Sequence, residues 1–207
     1  MGWIVSSKYR FIFIHIPKTG GTSIAEPSYG SSRQGALIPH LGENDVINYG
    51  HIRAAGLKER MGEHWDEYFK FCFVRNPWDR LVSLYHYFLQ NEEKAGSDLG
   101  LHIKACRSFR EFCMSMDHLK LDAHFDEQVT YIIDYNGQPI IDFVARYESM
   151  NKDFSQICNH LGLPDISLPR YRRSKHNDYR LYYDSETKRI VEQHYENDIR
   201  LLKYAFQ

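Results

Sequence analysis

The sequence predicts an α/β fold, a central parallel sheet flanked by helices on both faces, within a single domain spanning residues 1–207. Three observations carry this. Two short runs, FIFIHI at 11–16 and FCFV at 71–74, are almost wholly apolar, as strands buried on both faces are. Each run stops at a cation and a proline, followed by sequence suited to starting a helix. Strand-like and amphipathic helical stretches then alternate to the C-terminus.

The first run, Phe11 to Ile16, ends at Pro17 and leads into Lys18-Thr19-Gly20-Gly21-Thr22-Ser23. This combines a cation, two residues free to take positive φ, and hydroxyls where a helix would begin. Converging N–H groups and a helix N-terminus make such a turn a P-loop-like anion site. It is not a Walker loop, which needs its Lys after the glycines and a hydroxyl beside it for magnesium; here Lys18 precedes Gly20 and Gly21. The shorter loop should wrap one phosphate. The plain alternative is a polar strand-to-helix turn.

DVINYG, residues 45–50, reads as a short strand. The run Phe71 to Val74 ends at Arg75; Asn76 then suits a helix cap and Pro77 its first position. Leu81, Leu84, Tyr85 and Phe88 form one apolar stripe, with Ser83 off it about two turns along. Arg75 at a strand's carboxyl end and Ser83 on the next helix suit the crevice where open α/β sheets bind ligands. The structural alternative for Arg75 is an ion pair with Asp79 or Glu67, and for Ser83 an exposed helix position. Taken with the Lys18 loop, the pair suggests two anion sites and a ligand with two well-separated phosphates.

Residues 91–107 carry little pattern and read as a surface loop. Ser108 and Glu111 form a capping box ahead of Phe109, Phe112, Cys113 and Met116. Asp142 to Arg146 is a third short strand. Phe154, Ile157, Cys158 and Leu161 line a helix closed by Gly162, and Asp184 starts a terminal helix with Val191, Tyr195 and Leu202 inward.

Composition sets the remaining bounds. With 43% hydrophobic residues among 207, the chain can bury one sizeable core. A formal charge of -1 gives no global pull toward nucleic acid, so anion binding must be local. No apolar run approaches the roughly 20 residues that span a bilayer, and MGWIVSSKYR lacks a signal peptide's pattern, so a cytoplasmic protein without a transmembrane segment is expected. Cys72, Cys106, Cys113 and Cys158 show no zinc-ligand spacing and read as reduced, mostly buried thiols.

HIPKTGGTS and FVRNPWDRLVSLYHYF, with seven residues between Arg75 and Ser83, resemble the two donor motifs of the sulfotransferases. The nearest branch is the one of carbohydrate sulfotransferases and small bacterial relatives. DFVARYESMNKDFSQICNHLGLP and SKHNDYRLYYDSETKRIVEQHYENDIRLLKY extend the resemblance over most of the chain. It implies 3′-phosphoadenosine 5′-phosphosulfate (PAPS) as donor and adenosine 3′,5′-bisphosphate (PAP) as product. It also implies that Thr19, Gly20, Gly21, Thr22 and Ser23 cradle the 5′-phosphate, Arg75 and Ser83 hold the 3′-phosphate, and Lys18 neutralises charge on the bridging oxygen.

A sulfuryl group carries less negative charge than a phosphoryl group, so metal-independent chemistry is expected. The acceptor hydroxyl, on a carbohydrate or glycolipid by resemblance, needs a base. His51, in the Tyr-Gly-His-Ile-Arg stretch, matches the place where carbohydrate sulfotransferases carry a catalytic His; a loop histidine is the plain alternative. His124 is the runner-up, with Asp122 as possible orienter, and His15 reads as core. In the basic stretch LPRYRRSKHNDY, the resemblance makes Ser174, Lys175 and His176 candidate donor contacts. A magnesium-dependent nucleotide kinase and a non-catalytic nucleotide-binding module are the competing readings.

Overall fold

The computed structural model describes residues 2–25, 35–48, 50–91, 96–116, 123–164, 166–169 and 176–207. The chain divides into two compact units, Met1–Val74 with Thr130–Arg172, and Arg75–Val129 with Arg173–Gln207.

The first unit is built on a mixed sheet of β1 (Ile4–Ser6), β2 (Phe11–Ile14), β3 (Val46–Ile47), β4 (Phe69–Val74) and β5 (Phe143–Arg146), in the order β3-β1-β2-β4-β5. The three central-to-edge strands β2, β4 and β5 run parallel, while β1 pairs antiparallel with both β2 and β3. The predicted parallel sheet is thus the core of a mixed one. Its extra strand, β1, is three residues long and joins β2 through a tight turn in which Arg10 takes φ +55°. Asp45 fixes that turn by accepting from the backbone of Ser7 at 2.7 Å and Lys8 at 3.2 Å.

Both faces of β2 and of most of β4 are buried, as the unbroken apolar runs require. Phe11, Phe13, Phe71 and Phe73 share one cluster with Ala145, Phe154 and Ile157. Each wholly buried Phe contributes about 2–3 kcal/mol through apolar burial. Lys70 and Asp142 pin the start of the β4–β5 ladder: the Asp142 carboxylate accepts from Lys70 N at 2.7 Å and pairs with its Nζ at 3.0 Å. The α-helices among this unit's described residues are α1 (Thr22–Ala25), α2 (Ala54–Met61) and α6 (Met150–His160). The last of these packs on β5 and is closed by Gly162 at φ +65°.

The second unit is helical among its described residues, with α3 (Pro77–Gln90), α4 (Asp98–Ala105), α5 (Phe109–Met114), α7 (Ser185–His194) and α8 (Glu196–Leu201). Trp78, Leu81, Leu84, Tyr85 and Phe88 of α3 bury against Phe109, Phe112, Val191 and Tyr195. The surface loop expected at 91–107 is corrected in part: Ser97 accepts from Gly100 N at 3.2 Å and starts α4, which buries Leu99 and Ile103. Two apolar positions and two glycines left too faint a stripe to read. The capping box at α5 is half formed, since Ser108 accepts from Glu111 N but Glu111 accepts from Arg107 N. The expected single terminal helix breaks at Tyr195 into α7 and α8.

Candidate active site

In the first unit the Lys18 loop follows the carboxyl end of β2. The ladder stops at Ile14, two residues sooner than predicted, and the carbonyl of His15 accepts from the His51 ring instead. Lys18 then takes φ +66° and Gly20 φ +87°, so the backbone turns left-handed twice within three residues. A left-handed Lys carries a steric cost that Gly does not. Thr19 spends its hydroxyl inside the loop, donating to Ile16 O at 2.9 Å, and α1 begins as Ser23 N donates to Gly20 O at 3.0 Å. Thr22 and Ser23 are both buried.

The two glycines are required for reasons the sequence did not disclose. A Cβ on Gly20 would lie 2.8 Å from Met150 Cε and 3.0 Å from the Tyr147 ring. Gly21 is not at positive φ; a Cβ there would lie 2.0 Å from His15 Cδ2. The His15 ring thus occupies the space a side chain at position 21 would need.

His51 stands between Gly50, at φ +112°, and α2. Its Nδ1 lies 3.0 Å from His15 O, and because a carbonyl can only accept, Nδ1 is the donor. In the neutral ring the lone pair is then on Nε2. The His51 and His15 rings are 4.9 Å apart, tilted by 56°. His51, the buried His15 and the glycine loop are therefore contiguous within one unit.

In the second unit Arg75 follows directly on the last residue of β4 and is 6% exposed. Asn76 caps α3, accepting from Trp78 N and Asp79 N, with Pro77 at the first helical position, as the sequence predicts. Arg75 Nε donates to Asp79 Oδ2 at 2.8 Å, the ion pair foreseen as the structural alternative; Glu67 instead pairs with Arg10 and His64. Ser83 is 3% exposed, so it is not a surface serine.

The His124 carbonyl accepts from Arg80 Nη2 at 3.0 Å, and its ring meets Phe88 edge-on at 5.4 Å. His176 Nδ1 donates to Asn177 O at 2.7 Å, and its ring stacks 5.5 Å from His86 on α3. Burial and then His176 push the His86 imidazole below its usual range. Tyr179, Tyr182 and Tyr183 pack: Tyr183 donates to Trp78 O at 2.9 Å and Tyr182 meets Phe109. Asp122, Ser174 and Lys175 lie outside the described residues. Among the described residues no group of three or more His, Cys, Asp or Glu could hold a metal ion.

The sequence matches the profile of the sulfotransferase family over residues 1–205. The chain belongs to the sulfotransferase family. With that membership goes the enzyme class its motifs imply, a PAPS-dependent sulfotransferase. A relative from Xenopus laevis, carbohydrate sulfotransferase 10, is 23% identical and aligns with 97% of this chain and 66% of its own length. An uncharacterised protein of Archaeoglobus fulgidus is 29% identical over 128 residues, 60% of this chain and 93% of that one. The fold is shared with mouse sulfotransferase SULT7A1, whose crystal structure is a complex with PAP. That match has a TM-score of 0.54 at 14% identity and covers 94% of this chain and 85% of that one. No helix among the described residues of this sulfotransferase is long and apolar enough to cross a membrane.

Sequence reasoning about this sulfotransferase placed His15 in the core, where it lies, but missed its contacts with Gly21 and His51, and missed Gln128 and His86. The signal for His15 was its place between the strand and the loop; Gln128 and His86 carried none, since only tertiary packing gives them their neighbours.

Proposed function

We propose that this sulfotransferase moves a sulfuryl group from PAPS to a hydroxyl on a carbohydrate or glycolipid by in-line displacement, with His51 as base, and that residues 1–207 act as one sulfotransferase domain. The observation that carries the base assignment is the His51 Nδ1 to His15 O hydrogen bond, which sets the neutral tautomer with its lone pair on Nε2, the atom that would take the acceptor's proton, while His15 itself abuts Gly21 of the loop. His124 is the weaker choice, since its ring packs on Phe88 and its carbonyl is bound by Arg80.

On this reading the backbone of Thr19 to Thr22 and the hydroxyls of Thr22 and Ser23 hold the 5′-phosphate. Lys18 stabilises the bridging oxygen as PAP leaves, a task a compact ammonium performs without a metal. Arg75 and Ser83 hold the 3′-phosphate, and Ser174, Lys175 and His176 are candidate nucleotide contacts. The carbohydrate class of acceptor is supported by the likeness to carbohydrate sulfotransferase 10. A cytosolic setting is supported by four free cysteines, three of them buried.

The test is transfer of labelled sulfate from PAPS to a panel of sugar and glycolipid acceptors by the wild type and by His51→Ala and His124→Ala. His51→Ala should lower kcat by about 10²–10⁴, the scale of a lost general base, with PAP affinity nearly unchanged. A dead His124 variant beside a near-normal His51 variant would move the base to the other segment.

A further inference from the structure

Arg75 is held from two sides by groups that take no part in the proposed transfer. Its backbone N–H donates to Gln128 Oε1 at 2.8 Å and its carbonyl accepts from Gln128 Nε2 at 2.8 Å, so one amide side chain pairs with the main chain as a neighbouring strand would. Gln128 is wholly buried and cannot flip, because Asp198 Oδ2 accepts from its N at 2.9 Å and from its Nε2 at 3.1 Å. The Arg75 backbone therefore has a fixed position before the side chain is considered.

The side chain is fixed by Asp79, one turn along α3, whose Oδ2 takes the Nε edge of the guanidinium at 2.8 Å. The two groups are 7% and 18% exposed, so water does not easily replace either. With Nε committed, the guanidinium plane is set and an anion would be met by its Nη groups. A planar fork binds phosphate well only when that plane is correct.

We propose that Asp79 is a positioning residue, which orients the Arg75 guanidinium so that it grips the 3′-phosphate of the nucleotide and discriminates against nucleotides that lack one. This rests on the reading of Arg75 as the 3′-phosphate contact. Charge and geometry predict opposite outcomes at this position, which makes the proposal testable. By Coulomb's law a carboxylate beside an anion site repels the anion, so neutralising it should tighten phosphate binding. If Asp79 acts through the orientation of Arg75, neutralising it should loosen binding.

The experiment is calorimetry with PAP and with AMP on the wild type, Asp79→Asn and Asp79→Ala, with thermal melts to confirm that all three are folded. The wild type should prefer PAP by tenfold or more, the scale of one charge-assisted contact. Both variants should fall to a preference under about threefold, with AMP affinity held within about twofold, because AMP makes no use of the oriented guanidinium. AMP binding is the readout that a merely structural defect would also move. A preference that is unchanged or increased in either variant overturns the proposal. A wild type that does not prefer PAP overturns instead the assignment of Arg75 to the 3′-phosphate, so the two failures are distinct.

Discussion

Lys18→Gly should be more stable than Lys18→Ala, and both should be nearly inactive. Lys18 sits at φ +66°, where an L residue with a Cβ is crowded by about 1–2 kcal/mol. Glycine removes that cost but adds about 0.5–1 kcal/mol of backbone entropy to the unfolded chain. Relative to alanine at the same position the net gain is about 0.5–1 kcal/mol, which for a chain of this size raises Tm by about 1–4 °C. Lys18→Ala loses the same ammonium but keeps the Cβ and hence the strain, so it should melt below Lys18→Gly by that amount. Both variants lose the ammonium and should lose about 10²–10³ in turnover, as when one charge-stabilising donor is removed from a preorganised site. Scanning calorimetry gives the stabilities and labelled-sulfate transfer the rates. If Lys18→Gly is no more stable than Lys18→Ala, the left-handed backbone stores no strain; if either variant turns over normally, Lys18 has no part in the transfer.

Two further outcomes follow from other parts of the fold. Gly21→Ala should be strongly destabilising, since the new methyl would lie 2.0 Å from the His15 ring, and it should be tolerated far better in a His15→Ala background where that space is open; additive losses of Tm would show that the ring does not fill the site. Asp184 caps α7, accepting from Glu186 N and Thr187 N, and its bonds from the Thr187 N–H and hydroxyl, with Arg110 after them, bring its carboxyl down to about 2. An acid held below its unfolded value adds stability above that value and loses it as pH falls through the folded one. The Tm gap between wild type and Asp184→Ala should therefore be full at neutral pH and close between about pH 4 and 2; a gap that persists unchanged at pH 2 would show that the ionised cap is not its source.

What could be read from the sequence was whatever local chemistry encodes. Asn76 and Pro77 as cap and first turn, the Leu81 to Phe88 stripe, and Gly162 at a helix end all rest on neighbours within a few residues, and all are seen. β1 was missed because three residues, IVS, give no period to count, and α4 because its buried face is only Leu99, Gly100 and Ile103. Around Lys18, the passage from strand through a tight loop to a helix was legible but the reason for Gly21 was not. Its partner His15 is six residues back, and nothing in the spacing says that a ring lies where a Cβ would go. Gln128 was illegible for a stronger reason: it lies 53 positions from Arg75 and 70 from Asp198, and only the closed fold brings the three together.

That dependence on distant residues has an energetic side. Asp198 is wholly buried on α8, where burial pushes its carboxyl up, partly offset by Arg80, with an Oδ2 to Nη1 distance of 3.7 Å. Its oxygens accept from the backbone of Gln128 and Val129, so the charge is hydrogen-bonded as well as paired. A cluster of this kind is a poor source of stability, because the desolvation it suffers commonly matches what the pairing returns, and well-packed apolar side chains would often do as well. Its distinctive product is directional: it fixes the Gln128 amide, and through it the backbone of Arg75. The Lys18 loop reaches the same end by sterics, its glycines pressed by His15 on one side and by Tyr147 and Met150 on the other. On the proposed donor reading, the residues that would hold the two phosphates are shaped in each unit by neighbours outside the motifs. Substitutions at Tyr147, Met150, Gln128 or Asp198 should therefore change donor binding without touching the donor, through geometry that the motifs themselves do not contain.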